Sequence, residues 1–375
     1  MIKRMLLSAA LCITCAMTYA QDAPKLYGDA SANPEYVYTD AAKFPVYGKC
    51  IEETSTRYTR LPEYLHGAFR EDLWDLGTNS AGLYIRFRTN SRSIRLKWAS
   101  TKNFRMNHMT AAGISGLDLY ALDGSKWREV CGVQPRSNDI SDVKVIGNMD
   151  GQMREYMLYL SLYDGIKSLE IGTEQGSVIE GPKVQSPRTD KPIVMYGTSI
   201  LQGGCANRTG MAFTAILGRN LDREVINLGF SGNARLDPEI AELMIKVKDP
   251  GVFVLDNIPN CTLDMIHERE EKFFHILRDA HPDVPIIFVE NPTFTDLWLD
   301  IKSRGEIAAK NAAHRAIYER LKKEGQKNIY YVYGDKLNGT DGEGAVDGCH
   351  FTDLGMIRYA AVLQPVIEKA LKKRK

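Results

Sequence analysis

The chain lacks the compositional signs of a nucleic-acid-binding or zinc-binding protein. Its 48 Lys and Arg residues nearly balance 47 Asp and Glu residues, and no basic block is longer than the tail at 372–375. The seven histidines are scattered, without an H-E-x-x-H motif or a paired ligand spacing. We therefore expect no nucleic-acid partner, no cofactor and no metal site.

Cysteines are also few and widely spaced after residue 20, with no C-x-x-C pair among them. The five are Cys50, Cys131, Cys205, Cys261 and Cys349. Their odd number argues against a dense disulfide scaffold. The count is compatible with one or two disulfides and equally with buried free thiols.

The first 20 residues have the pattern of a secretion signal. Lys3 and Arg4 precede an apolar stretch at 5–17 that is too short to span a bilayer, and the segment ends in the small residue Ala20. We predict cleavage after Ala20 and an exported protein, periplasmic or at the cell surface in a Gram-negative source, with no membrane span. A buried N-terminal strand and a lipid anchor at Cys12 or Cys15 are the alternatives.

A length of 375 residues exceeds one ordinary domain, and the two halves of the chain differ in texture. Residues 22–185 contain short alternating runs broken by Gly, Asn and Asp, at 81–88, 93–98, 116–122, 155–162 and 168–171. This pattern predicts an all-β sandwich or jelly-roll domain at 21–185, in which residues 89–92 form a turn.

From residue 188 onward, strand-like and helix-like stretches alternate. Near-continuous apolar runs occur at 192–196, 224–227, 252–255, 285–289 and 329–333, and helical patterns occur at 263–280, 306–323 and 353–373. Continuous apolar strands between helices are typical of a parallel sheet buried on both faces. We predict a doubly wound α/β domain at 186–375, joined by a linker at 181–192 that contains three prolines.

Five polar or glycine positions follow the predicted parallel strands. Ser199 follows the first strand, Gly232 the second and Asn260 the third, while Asp347 and His350 follow the fifth. The carboxyl ends of parallel strands share one edge of a sheet, so these residues should converge there. Ser199 can act as a nucleophile with His350 as its base and Asp347 as the orienter of the imidazole. The N–H groups of Ser199 and Gly232, with the Asn260 amide, can form an oxyanion hole.

Each of these residues also has a structural interpretation. Gly-Thr-Ser at a strand end is often a helix N-cap, and a second Asp-x-x-His pair, Asp264 and His267, lies in a predicted helix. Ser231 is flanked by glycines, but Asn233 replaces the last glycine of a G-x-S-x-G elbow. We expect the Ser199 system to be the working one. A looser prediction places four further residues at its pocket: Thr198, Gln202, Glu290 and Asn291.

These residues resemble the blocks of the SGNH (GDSL-type) hydrolases, which are named for Ser, Gly, Asn and His in this order. The resemblance covers about 188–375 and implies an αβα sandwich with a serine ester hydrolase site. Two departures occur: Thr198 replaces the Asp of G-D-S, and Cys261 replaces the Asp that follows the family's Asn. Neither departure removes a member of the triad.

The first half resembles the GxDLY-type β-domain that precedes some SGNH-type esterases, many from gut Bacteroidetes. The match is Gly116-Leu117-Asp118-Leu119-Tyr120, with the segment from Asn107 onward. The resemblance implies a secreted esterase, often associated with glycan degradation. Four residues led us to ask whether the β-domain binds glycans, namely His108, Trp98, Tyr120 and Trp127; a place in the core is the alternative for each.

Our first functional hypothesis is a carbohydrate O-acetylesterase that acts on a small-molecule or glycan ester without a cofactor. A lipase, thioesterase or arylesterase is the related alternative, although the chain has no long apolar lid. A catalytically silent glycan-binding protein is the hypothesis of another class. The oligomeric state and the acyl group are open.

Overall fold

The computed structural model describes residues 35–373 and places two antiparallel sheets ahead of one parallel sheet. The predicted secretion signal at 1–20 lies outside the described residues. In the part of the chain that is described, no helix combines the length and apolar character needed to cross a membrane.

The antiparallel sheets are built from ten strands, with two short helices between them. The strands are β1 Tyr36–Asp40, β2 Val46–Tyr47, β3 Tyr84–Thr89, β4 Ile94–Ser100, β5 Leu117–Asp123, β6 Lys126–Val133, β7 Ile140–Ile146, β8 Arg154–Tyr159, β9 Ile166–Glu174 and β10 Ile179–Glu180. The helices are α1 Glu71–Gly77 and α2 Ala111–Ile114.

The two antiparallel sheets share one apolar core. One sheet has the order β1-β9-β4-β7, and the other has the order β10-β3-β8-β5-β6 with β2 paired to β3. Phe87 and Leu158 from one sheet and Leu96 and Trp98 from the other belong to the same buried cluster. This arrangement confirms the predicted β-sandwich, because alternate residues of each strand face the other sheet.

The turn predicted at 89–92 connects the two sheets. Strand β3 pairs with β8, whereas β4 pairs with β7 and β9, so these consecutive strands do not form a hairpin. The apolar residues of β3 and those of β4 enter the shared core from the two opposing sheets. Five of the ten strands were not predicted: β1, β2, β6, β7 and β10.

The parallel part consists of five strands and six helices. The strands are β11 Arg188–Gly197, β12 Arg223–Gly229, β13 Val252–Asp256, β14 Ile286–Val289 and β15 Ile329–Val332. The helices are α3 Ser199–Gln202, α4 Phe213–Leu221, α5 Pro238–Met244, α6 Leu263–Ala280, α7 Ile301–Lys323 and α8 Asp353–Lys372.

The parallel sheet has the order β12-β11-β13-β14-β15 and is covered on both faces. On one face, Leu243 of α5, Phe273 of α6 and Ile317 of α7 join one apolar cluster. On the other face, Phe213 of α4 and Leu363 of α8 join a second cluster. The predicted αβα sandwich is therefore confirmed. Strand β11 is the first parallel strand of the chain, and the next two strands, β12 and β13, lie on opposite sides of it, so the strand order reverses there. Such a switch point is where open α/β sheets hold their ligands.

The segment between β2 and β3 packs on the parallel-sheet part, and its Tyr58 and Leu83 join the core of the sandwich. Leu61, Leu65 and Trp74 lie in the same cluster as the α5 and α6 side chains. Arg60 is 1% exposed and donates hydrogen bonds to carbonyl oxygens of Leu76, Asn79, Asn227 and Gly229. The chain from Tyr36 onward is one compact unit, and the predicted division between 185 and 186 stays a prediction.

The cysteines of the described chain are free thiols and form no disulfide with one another. Cys50, Cys131, Cys205, Cys261 and Cys349 are all unpaired in the described chain. Cys50, Cys205 and Cys261 are buried, as small apolar side chains commonly are.

Candidate active site

The strand-to-helix turn after β11 presents Ser199. Gly197 ends the strand where a Cβ atom would lie 2.5 Å from the carbonyl oxygen of Asp256, so the close approach of β11 and β13 requires glycine. Thr198 caps α3, since its side chain accepts a hydrogen bond from Ile200 N–H at 3.3 Å. The helix has four residues, Ser199–Gln202, and is followed by Gly203 in the left-handed region. Ser199 is therefore held on a short, well-defined turn and keeps 6% of its surface exposed.

His350 and Asp347 meet Ser199 across the sheet edge. The Ser199 Oγ atom lies 2.8 Å from Nε2 of His350, and the Nδ1 atom of the same ring lies 2.7 Å from Oδ2 of Asp347. The other carboxylate oxygen of Asp347 accepts hydrogen bonds from the N–H groups of Cys349, at 3.0 Å, and His350, at 2.7 Å. The spacing of three residues thus closes a compact loop just before α8.

The environment of Asp347 keeps its carboxylate ionised. Partial burial acts to raise its pKa, but hydrogen bonds from the His350 ring and from the His350 and Cys349 N–H groups outweigh burial and lower the pKa to about 2. An ionised carboxylate can only accept hydrogen bonds. The ring hydrogen of neutral His350 therefore lies on Nδ1, and Nε2 is left to accept the Ser199 hydroxyl hydrogen.

Gly232 and Asn260 lie in the loops that follow β12 and β13, the two strands flanking β11. Asn260 Oδ1 accepts a hydrogen bond from Ala234 N–H at 3.2 Å, which ties the two loops together and leaves the Asn260 Nδ2 hydrogens to donate elsewhere. Gly232 has a φ of +68°, a conformation that favours glycine. The convergence expected from the strand order is thus observed for these two loops.

A histidine from the sandwich half reaches the Ser199 site. His108, in the loop between β4 and α2, has its ring centroid 5.8 Å from that of His350, and its Nε2 atom lies 3.9 Å from Oδ2 of Asp347. Cys205, which follows α3, is also close. The ligand atoms of His108, Cys205 and His350 all lie within 4.8 Å of one another, so these three residues could hold a metal ion.

An open cavity of about 360 Å³ lies between α1, the 102–106 loop and the loop after β12. Tyr163 lines it and donates its hydroxyl hydrogen to the Ser199 carbonyl oxygen at 3.2 Å. The polar lining residues are Asp72, Asp75, Asn79, Lys102, Ser231 and Asn233, and the apolar ones are Leu76, Phe104 and Met106. Phe104 is 45% exposed, so its ring is available to a bound molecule.

Thr198, Gln202, Glu290 and Asn291 are all buried, and like Ser199, Asp347 and His350 they are not among the residues that line this cavity. The loose prediction that these four line the pocket stays a prediction. Gln202, for example, uses its amide to bind Leu162 O and Ser231 N–H. His267 is exposed on α6, as expected of a surface helix residue. Trp98 and Tyr120 are core residues, and Trp127 is partly buried, with its ring N–H donating to Ser186.

The G-x-D-L-Y segment has a structural contact that explains its polar residues. Asp118 is buried and accepts hydrogen bonds from Arg208, at 2.7 Å, and from Gly210 N–H, at 2.9 Å. The Tyr120 hydroxyl contacts the same Arg208 nitrogen at 2.6 Å. Arg208 and Gly210 belong to the segment between α3 and α4. The sandwich half therefore holds the segment that directly follows the Ser199 turn.

Comparisons with known proteins agree with both halves of this fold. Residues 190–368 match the GDSL-like lipase/acylhydrolase family, and residues 35–179 match the GxDLY family, described as the N-terminus of SGNH-hydrolase-type esterases. A solved structure from Bacteroides ovatus, described as a GDSL-like lipase, is 36% identical with a TM-score of 0.85. The match covers 90% of this chain and 98% of that one. No curated protein sequence matches the chain.

Two more distant structures share the fold. The salicylyl-acyltransferase SsfX3 from a tetracycline biosynthetic pathway is 16% identical with a TM-score of 0.71, over 90% of this chain and 97% of that one. A family two carbohydrate esterase from Clostridium thermocellum, solved with cellohexaose, is 14% identical with a TM-score of 0.58. That match covers 78% of this chain and 94% of that one.

The fold, the serine site and the match to the Bacteroides ovatus protein over nearly its whole length point to one class of enzyme, the serine ester hydrolases. The chain belongs to the GDSL-like lipase/acylhydrolase family, with a GxDLY-type N-terminal domain.

Proposed function

We propose that this acylhydrolase is an exported carbohydrate O-acetylesterase whose nucleophile is Ser199. The observation that carries the proposal is the hydrogen-bonded series Ser199–His350–Asp347, together with an open cavity of mixed polar and apolar lining that Tyr163 connects to the Ser199 carbonyl. The series supplies a nucleophile, a base and an orienting carboxylate. The cavity supplies room for the alcohol part of an ester.

In the proposed reaction, Ser199 Oγ attacks the ester carbonyl carbon and its proton passes to Nε2 of His350. The negative oxygen that forms accepts hydrogen bonds from the N–H groups of Ser199 and Gly232 and from the Asn260 amide. When the tetrahedral intermediate collapses, the sugar oxygen leaves with the proton from His350, and the acetyl group stays on Ser199 as an ester. Water then repeats the sequence, releases acetic acid and restores the serine.

The lining of the cavity supports a sugar as the leaving group. Lys102 Nζ lies 2.7 Å from Asp75 and 3.1 Å from Asn79 Oδ1, so charged and amide groups are already fixed in position along one wall. Fixed donors and acceptors suit hydroxyl groups, and the exposed Phe104 ring suits the apolar face of a sugar. On the acid side we propose an acetyl group, because the sequence has no long apolar lid that would cover an alkyl chain.

Export is part of the same proposal and rests on residues 1–20, outside the described chain. We propose that the mature protein begins at Gln21 and that the sandwich and hydrolase domains divide near 185 and 186. N-terminal sequencing of the protein secreted by a bacterial host should give Gln21 as the first residue. A product that still begins at Met1 would contradict the proposal.

The test of the nucleophile compares wild type with Ser199→Ala and Ser231→Ala, all shown to be folded. We expect wild type to release p-nitrophenol from p-nitrophenyl acetate and Ser199→Ala to show only the background rate. Rapid acid quenching followed by mass spectrometry should find the acetyl group on the Ser199 peptide in both wild type and Ser231→Ala. Acetylation of Ser231, or equal rates in wild type and Ser199→Ala, would refute the assignment.

The test of the substrate separates the acyl and alcohol sides. We expect release of acetate from acetylated xylo-oligosaccharides and faster hydrolysis of p-nitrophenyl acetate than of p-nitrophenyl octanoate. Phe104→Ala should raise KM for the oligosaccharide and leave p-nitrophenyl acetate kinetics unchanged, whereas Tyr64→Ala, an exposed aromatic outside the cavity, should affect neither. Preference for octanoate would favour a lipase or thioesterase. Glycan binding without any hydrolysis would favour a silent binding protein.

A further inference from the structure

The Ser199 site contains three metal-ligating side chains that the proposed esterase mechanism does not use together. They come from three separate places: the loop after β4 for His108, the segment after α3 for Cys205 and the loop before α8 for His350. Their ligand atoms all lie within 4.8 Å of one another. Two imidazoles and one thiol are a donor set that zinc binds well.

The two imidazoles are held in the form that a metal ion needs. Nδ1 of His350 faces the Asp347 carboxylate at 2.7 Å, and Nδ1 of His108 lies 2.9 Å from Oδ1 of Asn107. Both of these oxygens are hydrogen-bond acceptors, so each neutral ring carries its hydrogen on Nδ1. The lone pair of each ring is then on Nε2 and points away from the acceptor. Metal-bound histidines usually have such an acceptor on the other ring nitrogen, which fixes the tautomer and the ring orientation.

From these contacts we propose that His108, Cys205 and His350 form an inhibitory binding site for Zn²⁺, with water as the fourth ligand. Zinc bonds of about 2.0–2.3 Å place tetrahedral ligand atoms roughly 3.5 Å apart, so the three side chains have to close in slightly. His108 lies in a loop and is partly exposed, so its side chain can make this movement.

Zinc binding at this site would stop the esterase reaction. Nε2 of His350 is the atom that lies 2.8 Å from Ser199 Oγ, and a zinc ion on that nitrogen occupies the lone pair that would accept the serine proton. Cys205 binds as a thiolate and releases its proton to water, and the two histidines bind as neutral rings. A chelator that removes the ion returns His350 to Ser199, so the inhibition is reversible.

The first experiment measures metal binding directly and does not depend on esterase activity. The full chain is titrated with Co²⁺, the usual spectroscopic substitute for zinc, and the near-ultraviolet thiolate-to-cobalt band is recorded. We expect the band in wild type and in Cys349→Ala, whose thiol is next to His350 in sequence but is not in the ligand set. We expect no band in folded Cys205→Ala. A band that survives in Cys205→Ala would overturn the proposal.

The second experiment measures inhibition by Zn²⁺ with p-nitrophenyl acetate, each variant being compared with its own zinc-free rate. We expect inhibition that EDTA reverses, and an inhibition constant at least about 10-fold higher in His108→Gln and in Cys205→Ser than in wild type. Cys349→Ala should keep the wild-type constant. Equal inhibition of all four proteins would mean that zinc acts at another place, and the proposed site would be rejected.

Discussion

Among the histidine–carboxylate pairs in residues 35–373, the pairs of His350 and His314 differ, because only His350 lies beside a serine. His350 faces Asp347 in a partly exposed loop at the carboxyl end of the parallel sheet. His314 of α7 faces Glu270 of α6, and both side chains are completely buried. A histidine–carboxylate pair is therefore not by itself a sign of catalysis; its place relative to the sheet edge decides what it can do.

The surroundings of His314 explain why its pair is structural. The rings of Phe288 and Tyr331 lie 5.6 and 5.4 Å from the His314 ring, and Nε2 of His314 has no hydrogen-bond partner within residues 35–373. Without a nucleophile or access for substrate, the pair can only join α6 to α7. By contrast, Nε2 of His350 meets Ser199, and loops from both neighbouring strands are close by.

The largest expected difference between the two pairs is in activity. We expect His350→Gln to lower kcat/KM for p-nitrophenyl acetate by at least about 10⁴-fold, because glutamine cannot accept the serine proton. His314→Gln, assayed at a temperature at which it is folded, should keep nearly the wild-type kcat/KM. A similar large loss in both folded variants would show that the buried pair also supports the chemistry.

The next largest effect is on stability, and here the buried pair should dominate. Glu270→Ala leaves the buried His314 without its partner, so we expect the free energy of unfolding to fall by about 3–5 kcal/mol. The neighbouring Glu271 pairs with Arg320 at the surface, and Glu271→Ala should lower it by at most about 1 kcal/mol. Urea denaturation followed by circular dichroism measures both values, and equal losses would contradict the distinction.

The third prediction concerns the proposed oxyanion donor Asn260, which belongs to the Ser199 site and has no counterpart described around His314. Removal of the Asn260 amide should lower kcat by about 10²- to 10³-fold with little change in KM, since the donor acts mainly on the charged intermediate. Asn220, which bonds Gln364 at the surface, provides the control. If steady-state kinetics show the same kcat for Asn260→Ala and Asn220→Ala, Asn260 is not an oxyanion donor.

The smallest effect concerns the buried carboxyl group of Asp256, which faces a phenol and not an imidazole. Asp256 is 1% exposed, and burial raises its pKa from 3.8 to about 8 although a hydrogen bond from Tyr359 acts to lower it. Its folded-state pKa is raised, so its stabilising effect is complete below pH 3.8 and is lost as the pH rises through 8. Between pH 6 and 7, the free energy of unfolding should decrease by at most about 1.4 kcal/mol from this group.

Asp256→Asn should flatten this part of the stability profile, because asparagine mimics the protonated acid and does not titrate. Chemical denaturation at pH 6 and at pH 7 gives the two free energies for each protein. The same pH dependence in wild type and in Asp256→Asn would contradict the assignment to Asp256.

Strand order allowed much of the Ser199 site to be predicted. A run of apolar residues ends at Gly197, just before Ser199. Similar runs precede Gly232 and Asn260, and His350 comes just before the last helix. Parallel strands end at the same edge, so these positions had to lie near one another. The roles of Ser199, Gly232, Asn260, Asp347 and His350 stay predictions, although the distances among Ser199, His350 and Asp347 suit them.

The edge strands of the sandwich were harder to predict. Strand β6, Lys126–Val133, is mostly exposed or half-buried and has no clean apolar alternation. Strand β7, Ile140–Ile146, includes polar residues on both faces. Edge strands of this kind are held mainly by hydrogen bonds to a neighbour far along the chain, and that neighbour cannot be read from local pattern.

The sequence alone determined the two architectures and the order of the site residues, because the periodicity of apolar residues and the strand ends are local properties. Only the tertiary structure decided which residues from distant segments meet. His108 and Cys205 reach His350, Arg208 reaches Asp118 and Tyr120, and Glu270 meets His314. These contacts arise when the sandwich and the helices pack on the parallel sheet. Contacts between segments that are far apart in the chain leave no regular spacing of residues in the sequence, so the sequence alone does not predict them.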